Sequence, residues 1–94
     1  METILKTISE ITYISVDDIL KKKSRVKDIV DARSILSFEL KNRIGYSNNK
    51  IAEFIGKDRT TVVNLLKRYE NLRSYPSDFL KMSNLISKKL DEVL

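Results

Sequence analysis

Ser47-Asn48-Asn49-Lys50-Ile51-Ala52-Glu53-Phe54-Ile55-Gly56-Lys57-Asp58-Arg59-Thr60-Thr61-Val62 is the stretch on which the reading of this chain turns. Ser47 can cap a short helix, because its hydroxyl can accept a backbone N–H that the first turn leaves unpaired. Ile51, Ala52, Phe54 and Ile55 follow at helical spacing as a buried face. Gly56-Lys57-Asp58 breaks that helix, and Asp58 caps a second one running to about Leu72, with Val62, Leu65, Leu66, Tyr69 and Leu72 inward. Two helices joined by a three-residue turn containing glycine, at about residues 47–72, match a helix-turn-helix. In that motif the second helix enters the major groove with its N-terminal side chains facing base edges. Asp58, Arg59, Thr60 and Thr61 occupy that position. Arginine can read guanine O6 and N7, a threonine methyl can meet thymine, and a carboxylate can accept from cytosine N4.

The rest of the chain reads as further helices. Ile4, Leu5, Ile8 and Ile11 share one face of a helix from Glu2 to Thr12. Ser15 caps a short helix containing Val16-Asp17-Asp18-Ile19-Leu20, with two carboxylates at its positive end. Lys21-Lys22-Lys23-Ser24-Arg25-Val26-Lys27 carries five cations in seven residues and reads as an exposed basic loop. Ile29, Ala32, Ile35, Leu36, Leu40 and Ile44 predict a long helix over 28–44, ended by Gly45 in the left-handed conformation. After Ser74-Tyr75-Pro76-Ser77, a last helix carries Phe79, Met82, Ile86, Leu90 and Val93. The expectation is an all-α, compact six-helix fold in one domain spanning residues 1–94.

Charge separates along the chain. Residues 1–20 carry a net −3, residues 21–73 carry fourteen cations against six anions for +8, and residues 74–94 are neutral. A localised positive field over the helix-turn-helix is the footprint of a polyanionic partner. With no histidine and no cysteine among 94 residues, Cys/His zinc sites, histidine-based triads and disulfides are all excluded. Glu39, Glu53 and Asp58 are scattered, without a spacing suited to acid–base work, so no enzyme is expected. No apolar run reaches the roughly 18 residues of a membrane span; the expected setting is cytoplasmic, with no membrane partner.

The residues from Ile51 to Val62 resemble the signature of the C-terminal DNA-binding domain (domain IV) of the bacterial chromosomal replication initiator DnaA, a Trp-repressor-like helix-turn-helix whose typical reading is I-G-x-x-F-G-x-R-D-H-T-T-V. Val16 with Ile19-Leu20, the basic loop and Ala32-Arg33 are similar to the pattern that precedes it, and Phe79 to Leu90 to the closing helix. The resemblance implies double-stranded DNA as partner and no cofactor. It implies Arg25 in the minor groove, with Lys23 and Lys27 on flanking phosphates. Lys41, Arg33 and Ser34 become phosphate contacts of the long helix, Ser47 a phosphate-contacting serine, and Asp58, Arg59, Thr60 and Thr61 the base-reading cluster, joined by outward-facing Asn64. Asn48 and Asn49 stand where the family has apolar or proline residues against thymine methyls. Arg59 stands where it has histidine, and the turn is one residue shorter. The docking mode is therefore expected to persist while the target sequence differs.

The initiator's ATPase requires a G-x-x-x-x-G-K-[ST] loop. Gly45 and Gly56 are the chain's two glycines and neither has that context, so no nucleotide is expected. The start at Met1 and the clean first helix suggest a stand-alone relative serving replication or transcription regulation, on the bacterial nucleoid or encoded by a phage or mobile element. The competing reading is a protein-interaction module that keeps the fold without specific DNA binding. The 3, 4, 4, 3 spacing from Phe79 to Val93 is a seam through which residues 78–93 could form a weak homodimer.

Overall fold

The computed structural model describes residues 2–20 and 26–94. Lys23 and Arg25, expected on a phosphate and in the minor groove, lie outside the described residues. The helices are α1 (Glu2–Thr12), α2 (Val16–Leu20), α3 (Lys27–Glu39), α4 (Asn48–Ile55), α5 (Arg59–Arg73) and α6 (Asp78–Val93), and α3 continues directly into a π turn over Leu40–Ile44. No strand occurs among the described residues. The fold is all-α, as the spacing predicts.

Local chemistry sets most boundaries. Ser15 Oγ accepts from the Asp18 N–H at 3.1 Å, Ser47 Oγ from Lys50 at 3.2 Å, Asp58 Oδ1 from Thr61 at 2.7 Å and Ser77 Oγ from Leu80 at 3.1 Å. Each cap satisfies a donor left unpaired by the first turn. Gly45 and Gly56 end their helices at φ +85° and +66°, a left-handed backbone that glycine adopts without a side-chain penalty. Tyr13 does the same work after α1 at φ +60°, although it bears a side chain that is 95% exposed.

The core is built from Ile4 and Ile8 of α1, Ile19 of α2, Ile35 and Leu36 of α3, Ile51 and Ile55 of α4, Val62 of α5, and Ile86 and Leu90 of α6, all essentially inaccessible. α3 packs most extensively on α5, and α1 on α6. Tyr69 joins three helices: its ring stacks on Phe38 at a centroid distance of 3.9 Å and meets Phe79 edge-on at 5.7 Å. Phe79, Ile86 and Leu90, expected as part of a pairing seam, are thereby spent on the chain's own core. Met82 is half-buried beside them, and Val93, the last member of the stripe, is 47% exposed.

Three expectations about the long helix need correction. It begins at Lys27 rather than Asp28, so Lys27 belongs to a helix and not to the basic loop. Ile44, expected inside, is 40% exposed. The π turn accounts for this, since its wider i→i+5 bonding shifts the register by which Ile44 would have followed Leu40 inward. Arg33 and Ser34, expected to contact phosphate, are buried, at 5% and 0% exposure. Arg33 Nε donates to the Ile19 carbonyl at 2.7 Å, tying α3 to the end of α2, and Ser34 Oγ donates to the Val30 carbonyl at 3.0 Å. Neither can meet a phosphate without leaving the core.

Candidate nucleic-acid interface

The helix-turn-helix comprises α4, Gly56-Lys57-Asp58 and α5. The Lys57 N–H closes α4 on the Ala52 carbonyl at 2.9 Å, and Ile51, Ala52 and Ile55 pack inward with Val62 and Leu65 of α5. The second helix is thus held at its base while its first turn stays in solvent: Arg59, Thr60 and Asn64 are exposed and Thr61 is half-buried. Asp58, expected among the base readers, has one carboxylate oxygen committed to the cap. The Thr61 N–H stabilises the charged form and holds the Asp58 carboxyl below its usual range.

Lys41, Ser47, Asn48, Asn49 and Arg59 line one shallow cleft of about 340 Å³. All five were expected at a nucleic-acid interface, and they come from three different segments. Lys41 Nζ donates to Asn48 Oδ1 at 2.8 Å, linking the π turn to the start of α4. Arg59 makes no hydrogen bond or ion pair among the described residues, so its guanidinium faces outward with its donors available. Lys27 is set apart from this group. Its ammonium pairs with Asp31 at 3.0 Å, and that hydrogen bond raises its pKa.

Asp31 plays a part that no local pattern announces. Arg68 of α5 reaches it at 2.7 Å across a separation of 37 residues, clamping the second helix of the motif to α3. A neighbouring groove between α3 and α5 is lined by Phe38, Lys41, Asn42, Asn48, Val63 and Lys67, among others. Lys41 and Asn48, both expected at the interface, line this groove as well as the cleft. A further polar junction lies behind the π turn. Glu39 is buried, with its side chain 3% exposed, and Arg43 pairs with it at 3.2 Å while also reaching Asp91 at 2.8 Å and the Ser87 carbonyl at 2.9 Å. Burial pushes the Glu39 carboxyl above its ordinary pKa.

A glycine-turned helix pair, with a polar and cationic cleft beside the free end of its second helix, defines a helix-turn-helix domain of the DNA-binding class. Its sequence places it more narrowly. Residues 1–68 match the family described as the bacterial dnaA protein helix-turn-helix, and the chain belongs to that family. It is 31% identical over 100 residues to the chromosomal replication initiator protein DnaA of Bacteroides thetaiotaomicron, covering 86% of this chain and 21% of that protein. It is 37% identical over 82 residues to the same-named protein of Bdellovibrio bacteriovorus, covering 86% of this chain and 17% of the relative. The match to that of Kosmotoga olearia, at 29% identity, takes in 99% of this chain and 19% of the relative, α6 included. The chain therefore spans about a fifth of the length of these relatives.

Proposed function

We propose that this chain binds double-stranded DNA sequence-specifically, with α5 in the major groove and the segment containing Arg25 in the adjacent minor groove, in bacterial replication initiation or transcription regulation. The observation that carries the reading is the single cleft shared by Lys41, Ser47, Asn48, Asn49 and Arg59. Arg59, Thr60, Thr61 and Asn64 meet base edges. Ser47, Lys41, Lys27 and Lys23 neutralise or bond phosphates, which position the protein without carrying sequence information. Arg25 enters a narrow, electronegative minor groove of the A·T-rich kind. The domain acts by binding rather than catalysis, and its ligand sets its place in the cytoplasm, on the nucleoid.

Selection of bound duplexes from a random pool at stated salt tests this. A reproducible consensus is expected, and Arg59→Ala should relax it at one base pair by about 1–3 kcal/mol of discrimination. Absence of any enriched sequence would instead favour an interaction module that has kept the fold.

A further inference from the structure

Resting on that duplex-binding reading, we propose that Lys41 positions the Asn48 amide so that hydrogen-bond donors surround Arg59, and that the DNA edge received there is keto-rich: guanine or thymine on the strand facing α4.

The side chains of the cleft differ in what they can donate and accept. A lysine ammonium has three donors and no acceptor, so the 2.8 Å contact from Lys41 fixes Asn48 with its oxygen turned to the lysine. The amide NH2 is then the end left to face the cleft. Ser47 Oγ already accepts from the Lys50 N–H, and its hydroxyl keeps both the O–H donor and a second lone pair. Arg59 has donors only. Ser47 and Asn49, each able to donate or accept, are the exceptions among the five lining residues.

Base edges sort cleanly against such a surface. In the major groove guanine presents two acceptors, O6 and N7, and thymine presents O4, whereas adenine sets one acceptor, N7, beside its N6 donor and cytosine presents the N4 donor, so the discrimination lies at the position of O6 and O4 against N6 and N4. A donor facing a donor leaves both desolvated and unpaired, which excludes the wrong base as effectively as a good contact selects the right one. Arg59 is the first residue of the second helix, the position that faces base edges in this motif. Its planar fork matches the two acceptors of guanine. The cleft that Arg59 shares with Asn48 therefore opens towards the groove floor and not only towards the backbone.

Duplex selection with wild type, Lys41→Met, Lys41→Arg and Asn48→Asp at one salt concentration tests the proposal, with thermal melts to show that these surface variants are folded. The wild-type consensus is expected to place guanine or thymine beneath the cleft. Lys41→Met frees the amide to turn over and should lower the guanine-over-adenine preference at one position on the order of tenfold, whereas Lys41→Arg, still a pure donor, should keep it. Asn48→Asp presents an acceptor and should move the preference there to adenine or cytosine. An unchanged preference in Lys41→Met, whatever its overall affinity, would reduce Lys41 to a phosphate contact and overturn the inference. So would a wild-type consensus rich in adenine or cytosine at that place, while leaving duplex binding intact. No enrichment with any sequence would remove the duplex-binding reading and this one together.

Discussion

Arg43→Ala should destabilise the domain strongly near neutral pH and only mildly in acid. Glu39 is almost wholly buried, and Arg43 is its cationic partner, itself about a fifth exposed. Removing one member of a buried pair leaves an uncompensated charge and typically costs about 3–5 kcal/mol. The lower end applies here, because Arg43 retains solvent contact and its second partner, Asp91, is two-thirds exposed and adds little. About 3 kcal/mol is a large share of the roughly 5–15 kcal/mol that holds a domain together. It corresponds to a fall in melting temperature of roughly 12–24 °C. The pH dependence follows from the raised pKa of Glu39. In the folded state Glu39 binds its proton more tightly than in the unfolded chain, so stability is lost as pH rises from the unfolded value, about 4.3, through the higher folded one. Loss of Arg43 raises the folded pKa further and widens that window. Well below it Glu39 is neutral in both states, and the remaining cost is the lost hydrogen bonding to Ser87, about 1 kcal/mol. Urea unfolding followed by far-UV circular dichroism at about pH 4 and pH 7.5 would measure this, with Glu39→Gln/Arg43→Ala expected to recover most of the neutral-pH loss. A penalty below about 1 kcal/mol at neutral pH, or one of equal size at both pH values, would refute the reasoning.

Tyr13→Gly should stabilise the fold by about 1 kcal/mol, since the left-handed backbone costs a residue with Cβ roughly that much; an unchanged or lower midpoint in urea would count against it. Asp58→Asn should flatten the acid limb of the stability profile. The depressed carboxyl of Asp58 stabilises the fold above its unfolded pKa, a contribution lost as pH falls through the folded one, and asparagine caps without titrating. Parallel acid titrations of the two proteins would reveal whether the limbs differ.

What the sequence disclosed was local. Ser15, Ser47, Asp58 and Ser77 act within three residues of their partners, and Gly45 and Gly56 act on their own dihedrals, so those boundaries were readable one segment at a time. The five cleft residues were legible as types, through the family signature and the charge segregation, although their convergence was not. Arg33 and Ser34 misled because the family resemblance carries phosphate contacts onto the long helix by position, whereas α3 is flanked by α1, α2, α5 and α6 and is buried around most of its circumference. The Asp31–Arg68 clamp joins residues 37 positions apart. No periodicity encodes such a pair; it exists only once the helices are packed. The π turn was equally silent, because five residues that continue an apolar pattern look the same in either helical register.

That turn makes the geometry of the interface a matter of counting. The Gly45 N–H closes on the Leu40 carbonyl, and so does that of Tyr46, at 3.1 Å. Relative to an uninterrupted α-helix, a π turn accommodates one additional residue, and each residue of an α-helix advances the chain by about 100° and 1.5 Å. Deleting a single residue between Leu40 and Gly45 would therefore leave an ordinary α-helical turn with α4 close to its present placement, whereas an extra residue that the helix could not absorb in this way would swing α4 by more than a quarter turn about α3 without altering any side chain of the cleft. A chain without the π turn's additional residue can thus hold α4 and α5 in the same place, just as one that keeps it can exchange side chains such as Arg59 without moving the helices that carry them.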